Sequence, residues 1–189
     1  RIVAYHESGH DLVAWLIPAA DPVHKVTIVP HGRALGVTEQ LPTDDKFNYS
    51  ATYLMARLAV MLGGRTAEEI AIGDITTGAE NDLVEATGLA RRMVARWGMG
   101  SLGLVAFKSD DHQPFLGYDL SQGREYSEAT AAKIDQEVQG LLEERHKAVH
   151  ELLTREREKL ENLVKALLHE DTITQEALVK ILGARPKAR

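Results

Sequence analysis

His6-Glu7-Ser8-Gly9-His10 lies near the start of the chain, inside a run with the apolar spacing of a helix. Ile2, Val3, Leu12, Val13, Leu16 and Ile17 supply that spacing, and Pro18 limits the helix downstream. Residues four apart on a helix share one face, roughly 6 Å apart along the axis. Two imidazoles so placed can hold one Zn²⁺, each through a ring nitrogen at about 2.0–2.1 Å. Glu7 projects about 100° round the helix from His6, so it can stand beside the metal without ligating it. A carboxylate there can take a proton from water while that water attacks a carbonyl carbon. A His-Glu-His cluster inside an apolar helix is costly to bury unless a metal or hydrogen bonds satisfy it.

The spacing is the H-E-x-x-H arrangement of zinc peptidases, a pattern short enough to arise by chance. The chain carries its own comparison in His146 and His150, which are likewise four apart. They lack a Glu at the next position and lie among Glu143, Glu144, Arg145, Lys147 and Glu151. That pair reads as a solvated helix face.

With 189 residues, 44% of them hydrophobic, the chain can build one large domain or two small ones around a real core. A net charge of −6 argues against a nucleic-acid surface, and the run from Arg91 to Arg96 reads as the polar side of a helix. There is no cysteine, which excludes disulfides, thiolate zinc sites and cysteine nucleophiles, and suits a reducing compartment. No segment approaches the roughly 18–20 uninterrupted apolar residues of a membrane span. The best run, Leu12 to Ala20, is short and contains Pro18. No signal peptide is visible. The chain starts at Arg1 without a Met, only a few residues before its principal motif, and so reads as a fragment of something longer.

Taken in order, residues 2–17 form the motif helix. Val23 to Val29 alternates apolar and polar residues, a strand signal; Pro30-His31-Gly32-Arg33 is a turn, and 35–41 a returning strand. Residues 36–40 are then either a strand edge that pairs with substrate backbone beside the metal, or an ordinary surface hairpin. Asn48 or Ser50 caps a helix to Leu62, which Gly63-Gly64 stops, and a shorter helix runs from Thr66 to Ile72. Thr77 and Glu80 have capping-box spacing and start a helix that Leu83, Ala86, Ala90, Met93, Val94 and Trp97 continue to Gly98. Asp82 falls in its first turn, where the helix dipole alone favours an acid. Leu102 to Phe107 reads as a short strand, and 109–124, rich in Asp, Gly and Pro, as a mobile loop. From Ser127 the chain is helical: a capped helix with Ile134, Val138, Leu141 and Val149, a second with Leu160, Leu163 and Leu167, and a third capped by Thr174 and ended by Gly183. The fold class is therefore mainly α-helical with a small β-hairpin or sheet, a motif-helix core plus a C-terminal helical bundle.

Catalytic zinc usually takes three protein ligands and leaves the fourth position to water. Leu16 stands where the longer metzincin motif needs a histidine, so that class is excluded. A carboxylate must supply the third ligand, and the residues offer Glu68 or Glu69 on a helix, or Asp82.

His6-Glu7-Ser8-Gly9-His10, Gly36-Val37-Thr38 with Leu41-Pro42, and Gly63-Gly64-Arg65-Thr66-Ala67-Glu68-Glu69 resemble the FtsH family of ATP-dependent zinc metalloproteases. So do Thr76-Thr77-Gly78-Ala79-Glu80-Asn81-Asp82, Trp97-Gly98-Met99-Gly100 and Tyr126-Ser127-Glu128. The resemblance covers essentially the whole chain in order. It implies one Zn²⁺ per chain on His6, His10 and Asp82, with Glu7 as catalytic base; Glu68, Glu69 and Asp74 are the candidates for orienting the imidazoles. If the strand edge at 36–40 pairs with substrate, Gly36, Val37, Thr38 and Glu39 are the candidate substrate-binding residues. The expected organisation is a single protease domain over 1–189, with a catalytic part at 1–100 and a helical part at 125–183. An AAA ATPase module and a membrane anchor would lie elsewhere in a longer, hexameric chain that degrades unfolded polypeptides. The domain would then face the cytoplasm, or an organelle matrix or stroma, with the membrane engaged only through the absent parts. Two departures stand out: Ser8 where the family has Ala, and Asp11 directly after His10. The competing readings are a metal-binding pseudoenzyme serving as an oligomerisation scaffold, and a helical domain without metal.

Overall fold

A computed structural model describes residues 1–30, 36–40, 48–107 and 126–187. The motif helix α1 spans Ile2–Leu16. Strands β1 (Val23–Thr27) and β2 (Val37–Gln40) follow it, then α2 (Ala51–Ile72), a 3-10 turn (Thr77–Ala79) and α3 (Glu80–Ala95). The C-terminal half is α4 (Glu128–Arg155), α5 (Arg157–Glu170), β3 (Thr172–Thr174) and α6 (Gln175–Leu182). Mainly α with one small sheet is what the sequence implies.

Helix α2 corrects the reading of Gly63-Gly64 as a stop. It runs unbroken through both glycines to Gly73, which closes it at φ +74. A glycine costs a helix about 1 kcal/mol relative to alanine, and packing overrides that here. A Cβ on Gly63 would lie 2.7 Å from the carbonyl oxygen of Gly9, and one on Gly64 would lie 2.5 Å from His10 Nε2. The glycines let α1 and α2 touch along their backbones.

The hairpin of β1 and β2 forms, and gains a third member. The sheet order is β2-β1-β3, all antiparallel, with Val26 opposite both Thr38 and Ile173. Three residues of β3 are too few to show a period, and Thr174 reads only as a cap. Its side chain makes no cap bond, although it does occupy the N-cap of α6. Residues 102–107 are not a strand: Gly103 takes φ +83, and Phe107 N–H donates back to the Ala95 carbonyl at the end of α3. The stretch read as a mobile loop, 109–124, lies outside the described residues.

Two apolar clusters form among the described residues. One joins Leu12, Val13 and Trp15 of α1 to Val26, Ile173 and the inner faces of α5 and α6, through Leu160, Leu163, Leu167 and Leu178. The other packs Leu54, Leu58 and Leu62 of α2 against Leu89 and Met93 of α3 and Ile134 and Val138 of α4. Residues from both halves of the chain fill both clusters. The C-terminal segment also clasps α1: Trp15 Nε1 donates to the Gly183 carbonyl, and Arg185 to the carbonyls of Ala14, Ile17 and Ala20. No described helix is long and apolar enough to cross a membrane.

Candidate metal centre

His6 and His10 project from α1 towards Gly64 of α2, their rings 4.7 Å apart and nearly perpendicular. Each ring has one nitrogen pinned. His6 Nδ1 faces Glu68 Oε1 at 2.8 Å, and His10 Nδ1 faces the Val60 carbonyl at 2.6 Å. Both partners accept, so in the neutral rings both Nδ1 atoms carry the proton and both Nε2 atoms present lone pairs. Those two nitrogens lie 3.1 Å apart. Asp82, in the first turn of α3, brings Oδ2 to 3.2 Å from one and 3.4 Å from the other.

Three lone-pair atoms converging without a donor among them repel one another, unless a cation or a proton stands between. Ligands at about 2.0–2.1 Å around a tetrahedral ion lie about 3.3 Å from each other. The observed triangle has those edges, so the donor set fits zinc. It is also the one group of three His or carboxylate ligand atoms this close among the described residues. The electrostatics agree. Burial pushes the Asp82 carboxyl up, but when a facing Nε2 is protonated the hydrogen bonds from His10 and His6 outweigh it and hold the group well below the usual carboxylate range. Burial lowers the His6 pKa, and Asp82 and Glu68 more than reverse that, raising it. Metal and proton thus compete for one place.

The other acids separate clearly. Glu68 is buried, and its second oxygen accepts from Thr76 N–H at 3.0 Å, in the loop that leads to Asp82. It therefore ties His6 to the segment carrying the third candidate ligand. Glu69 turns the other way, its Oε2 2.9 Å from His146 Nε2 on α4. Asp74 is exposed and accepts from its neighbour Ile75 N–H. His146 and His150 thus do not form a purely solvated face, because His146 docks α4 on α2. The 3-10 turn is capped by Thr76, whose Oγ1 accepts from Gly78 N–H, and not by Thr77; the expected capping box is not formed.

Glu7 sits beside the triangle, buried, and burial is the main cause of its raised pKa. Thr38 Oγ1 donates to its Oε2 at 3.0 Å. Gly36 and Thr38 line a cleft of about 990 Å³ whose other walls include Glu7, the two histidines, Asp82 and Val84. Val37 lies in strand β2 between them, and Glu39 pairs with Lys25 across the hairpin. Sequence reasoning missed the Val60 carbonyl, a backbone atom without a residue signature, and Gly64, whose only signal was a glycine inside a helical pattern. Ser8 and Asp11 are fully buried, and neither side chain has a hydrogen-bond partner among the described residues. Burial pushes the Asp11 carboxyl up to about 8.

Residues 1–181 match the model of peptidase family M41. The chain is 50% identical over 188 residues to "ATP-dependent zinc metalloprotease FtsH" of Thermobaculum terrenum, covering 99% of this chain and 29% of that protein. The same name belongs to a Nitrosococcus oceani protein, 50% identical over 96% of this chain and 28% of its own length. "ATP-dependent zinc metalloprotease FtsH 4" of Sphaerobacter thermophilus is 50% identical over 98% and 28%. The chain thus spans under a third of these relatives.

Proposed function

Because this chain belongs to peptidase family M41, we propose that it is the zinc-dependent endopeptidase part of a longer, ATP-dependent, membrane-anchored protease. The observation that carries the reading is the convergence of His6 Nε2, His10 Nε2 and Asp82 Oδ2, with the far side of each ring fixed by an acceptor. These three residues would hold one Zn²⁺. Bound there, zinc supplies Lewis acidity and lowers the pKa of water. Glu7 is the base: its carboxylate takes the proton of the attacking water and returns it to the leaving amine. Glu68 and the Val60 carbonyl hold the imidazoles in the ligating tautomer and orientation.

Substrate enters as an extended strand along β2, an outer strand of the sheet, whose Gly36, Thr38 and Gln40 line the cleft. Such a site acts on backbone already freed from helices and sheets, so unfolded, misfolded and regulatory polypeptides are the substrate class. In the full-length protein an AAA ATPase module of the same chain does the unfolding, within a hexamer on the cytoplasmic, matrix or stromal face of a membrane. The test is cleavage of a casein-like unfolded chain by the purified 189 residues. Hydrolysis abolished by a chelator, restored by zinc and indifferent to ATP supports the reading. A protein that holds one zinc and leaves such chains intact supports the scaffold reading instead.

A further inference from the structure

Glu7 cannot be aimed by α1 alone. Its side chain has three rotatable bonds, and holding the carboxylate in one place gives up their rotamer freedom. The contacts that fix it come from β2. Thr38 Oγ1 lies 3.0 Å from Glu7 Oε2 and 3.2 Å from the Glu7 main-chain carbonyl, so one hydroxyl bridges the base and its own helix turn. On the other oxygen, a Cβ placed on Gly36 would lie 2.7 Å from both Glu7 Oε1 and Cγ. Gly36 is not in the left-handed region, so its conformation needs no glycine. What the position needs is room for the carboxylate.

From this geometry we infer that residues 36–38 form the seat of the Glu7 carboxylate, with Thr38 as a positioning residue for the base. Thr38 occupies Oε2, and among the described residues nothing donates to Oε1. The strand that lies along the substrate backbone is the same strand that aims the base. A displaced or poorly filled strand therefore leaves the base misdirected, and peptide that orders β2 also orders Glu7. This deepens the peptidase reading and rests on it, with a role for Thr38 that differs from simply touching substrate.

Three substitutions separate the possibilities. Thr38→Val keeps shape and β propensity but removes the donor; Thr38→Ser keeps the donor; Gly36→Ala fills the space beside Oε1. In the zinc-loaded chain acting on an unstructured peptide, Thr38→Val should lower kcat at least about tenfold with KM within about twofold, because small misplacements of a reacting group are expensive. Thr38→Ser should recover most of that loss, and Gly36→Ala should reproduce it, each with one zinc retained. An independent readout needs no turnover: the δ-carboxyl ¹³C resonance of Glu7, assigned by its disappearance in Glu7→Gln, should move in Thr38→Val and Gly36→Ala but not in Thr38→Ser. An unmoved resonance with kcat unchanged overturns the seat, and so does a rise in KM alone, which makes Thr38 a substrate contact. Should Thr38→Val fail to fold, Gly36→Ala decides by the same two measurements. Absence of peptide cleavage in the unsubstituted chain sinks the peptidase reading while leaving the resonance test standing.

Discussion

Glu68 reaches His6 with one carboxylate oxygen, 2.8 Å from Nδ1, and the backbone of Thr76 with the other, at 3.0 Å. A single buried acid on α2 thereby orients a histidine of α1 and anchors the loop that delivers Asp82. Partners of this kind are typically worth about 10–100-fold in metal affinity. Glu68→Gln should weaken zinc binding by about that factor, measured by competition with a chromophoric chelator. Asp82→Asn should weaken it further and abolish peptide cleavage, whereas Glu69→Gln should leave zinc in place, since Glu69 faces His146. Zinc loss in the Glu69 variant alone would mean that the third ligand has been misassigned.

Glu7 stands beside the ligand triangle without contributing a ligand atom to it. Glu7→Gln keeps the shape of the side chain and removes its basicity. The variant should retain one zinc per chain and lose about 10²–10⁴-fold in kcat, the usual contribution of a positioned acid or base. Turnover at more than a few per cent of the parent, at full zinc occupancy, contradicts the assigned role.

The contact of Gly9 with α2 predicts a stability effect with no change in chemistry. A Cβ on Gly9 would lie 2.6 Å from the Cβ of Ala67 and closer still to the Gly63 carbonyl. Both helices are backbone there and cannot yield as a flexible side chain would. Gly9→Ala, favourable to an isolated helix, should instead cost the protein about 1–3 kcal/mol or more. Urea unfolding of the two proteins measures it.

That pair also explains what the sequence could and could not disclose. The motif helix, the caps at Ser50 and Ser127 and the placement of Asp82 in a first turn all rest on local rules, and Ser50 and Ser127 each accept from a backbone N–H three residues on. Gly63 and Gly64 obey a non-local demand, contact with α1, that no window around them contains. The same holds for Val60, whose side chain says nothing about its carbonyl, and for β3, which exists because β1 offers it an edge. Glu68 and Glu69 are neighbours with equal local claims on the metal. Only the placement of α1 on one side of α2 and α4 on the other separates their roles.

Asp11 offers a test of electrostatics away from the ligands themselves. Its carboxyl is fully buried, has no hydrogen-bond partner among the described residues, and is pushed up to about 8 by burial first and by the charge of Glu7 second. In the unfolded chain the same group titrates near 3.8. Between those two values the folded protein keeps the proton and the unfolded chain releases it. Stability must therefore fall as pH rises from about 4 to about 8, by at most about 1.4 kcal/mol per pH unit from this group. Asp11→Asn removes the titration while keeping the volume. Its advantage over the parent should grow from pH 5 towards pH 8, by at most about 4 kcal/mol across those three pH units. Zinc-free protein should be used, because metal binding brings its own pH dependence. Repeating the comparison in a Glu7→Gln background removes the second cause and should shrink the difference without abolishing it, since burial is the larger one. A parent and variant with parallel stability curves from pH 5 to 8 would mean that a partner satisfies Asp11 in solution.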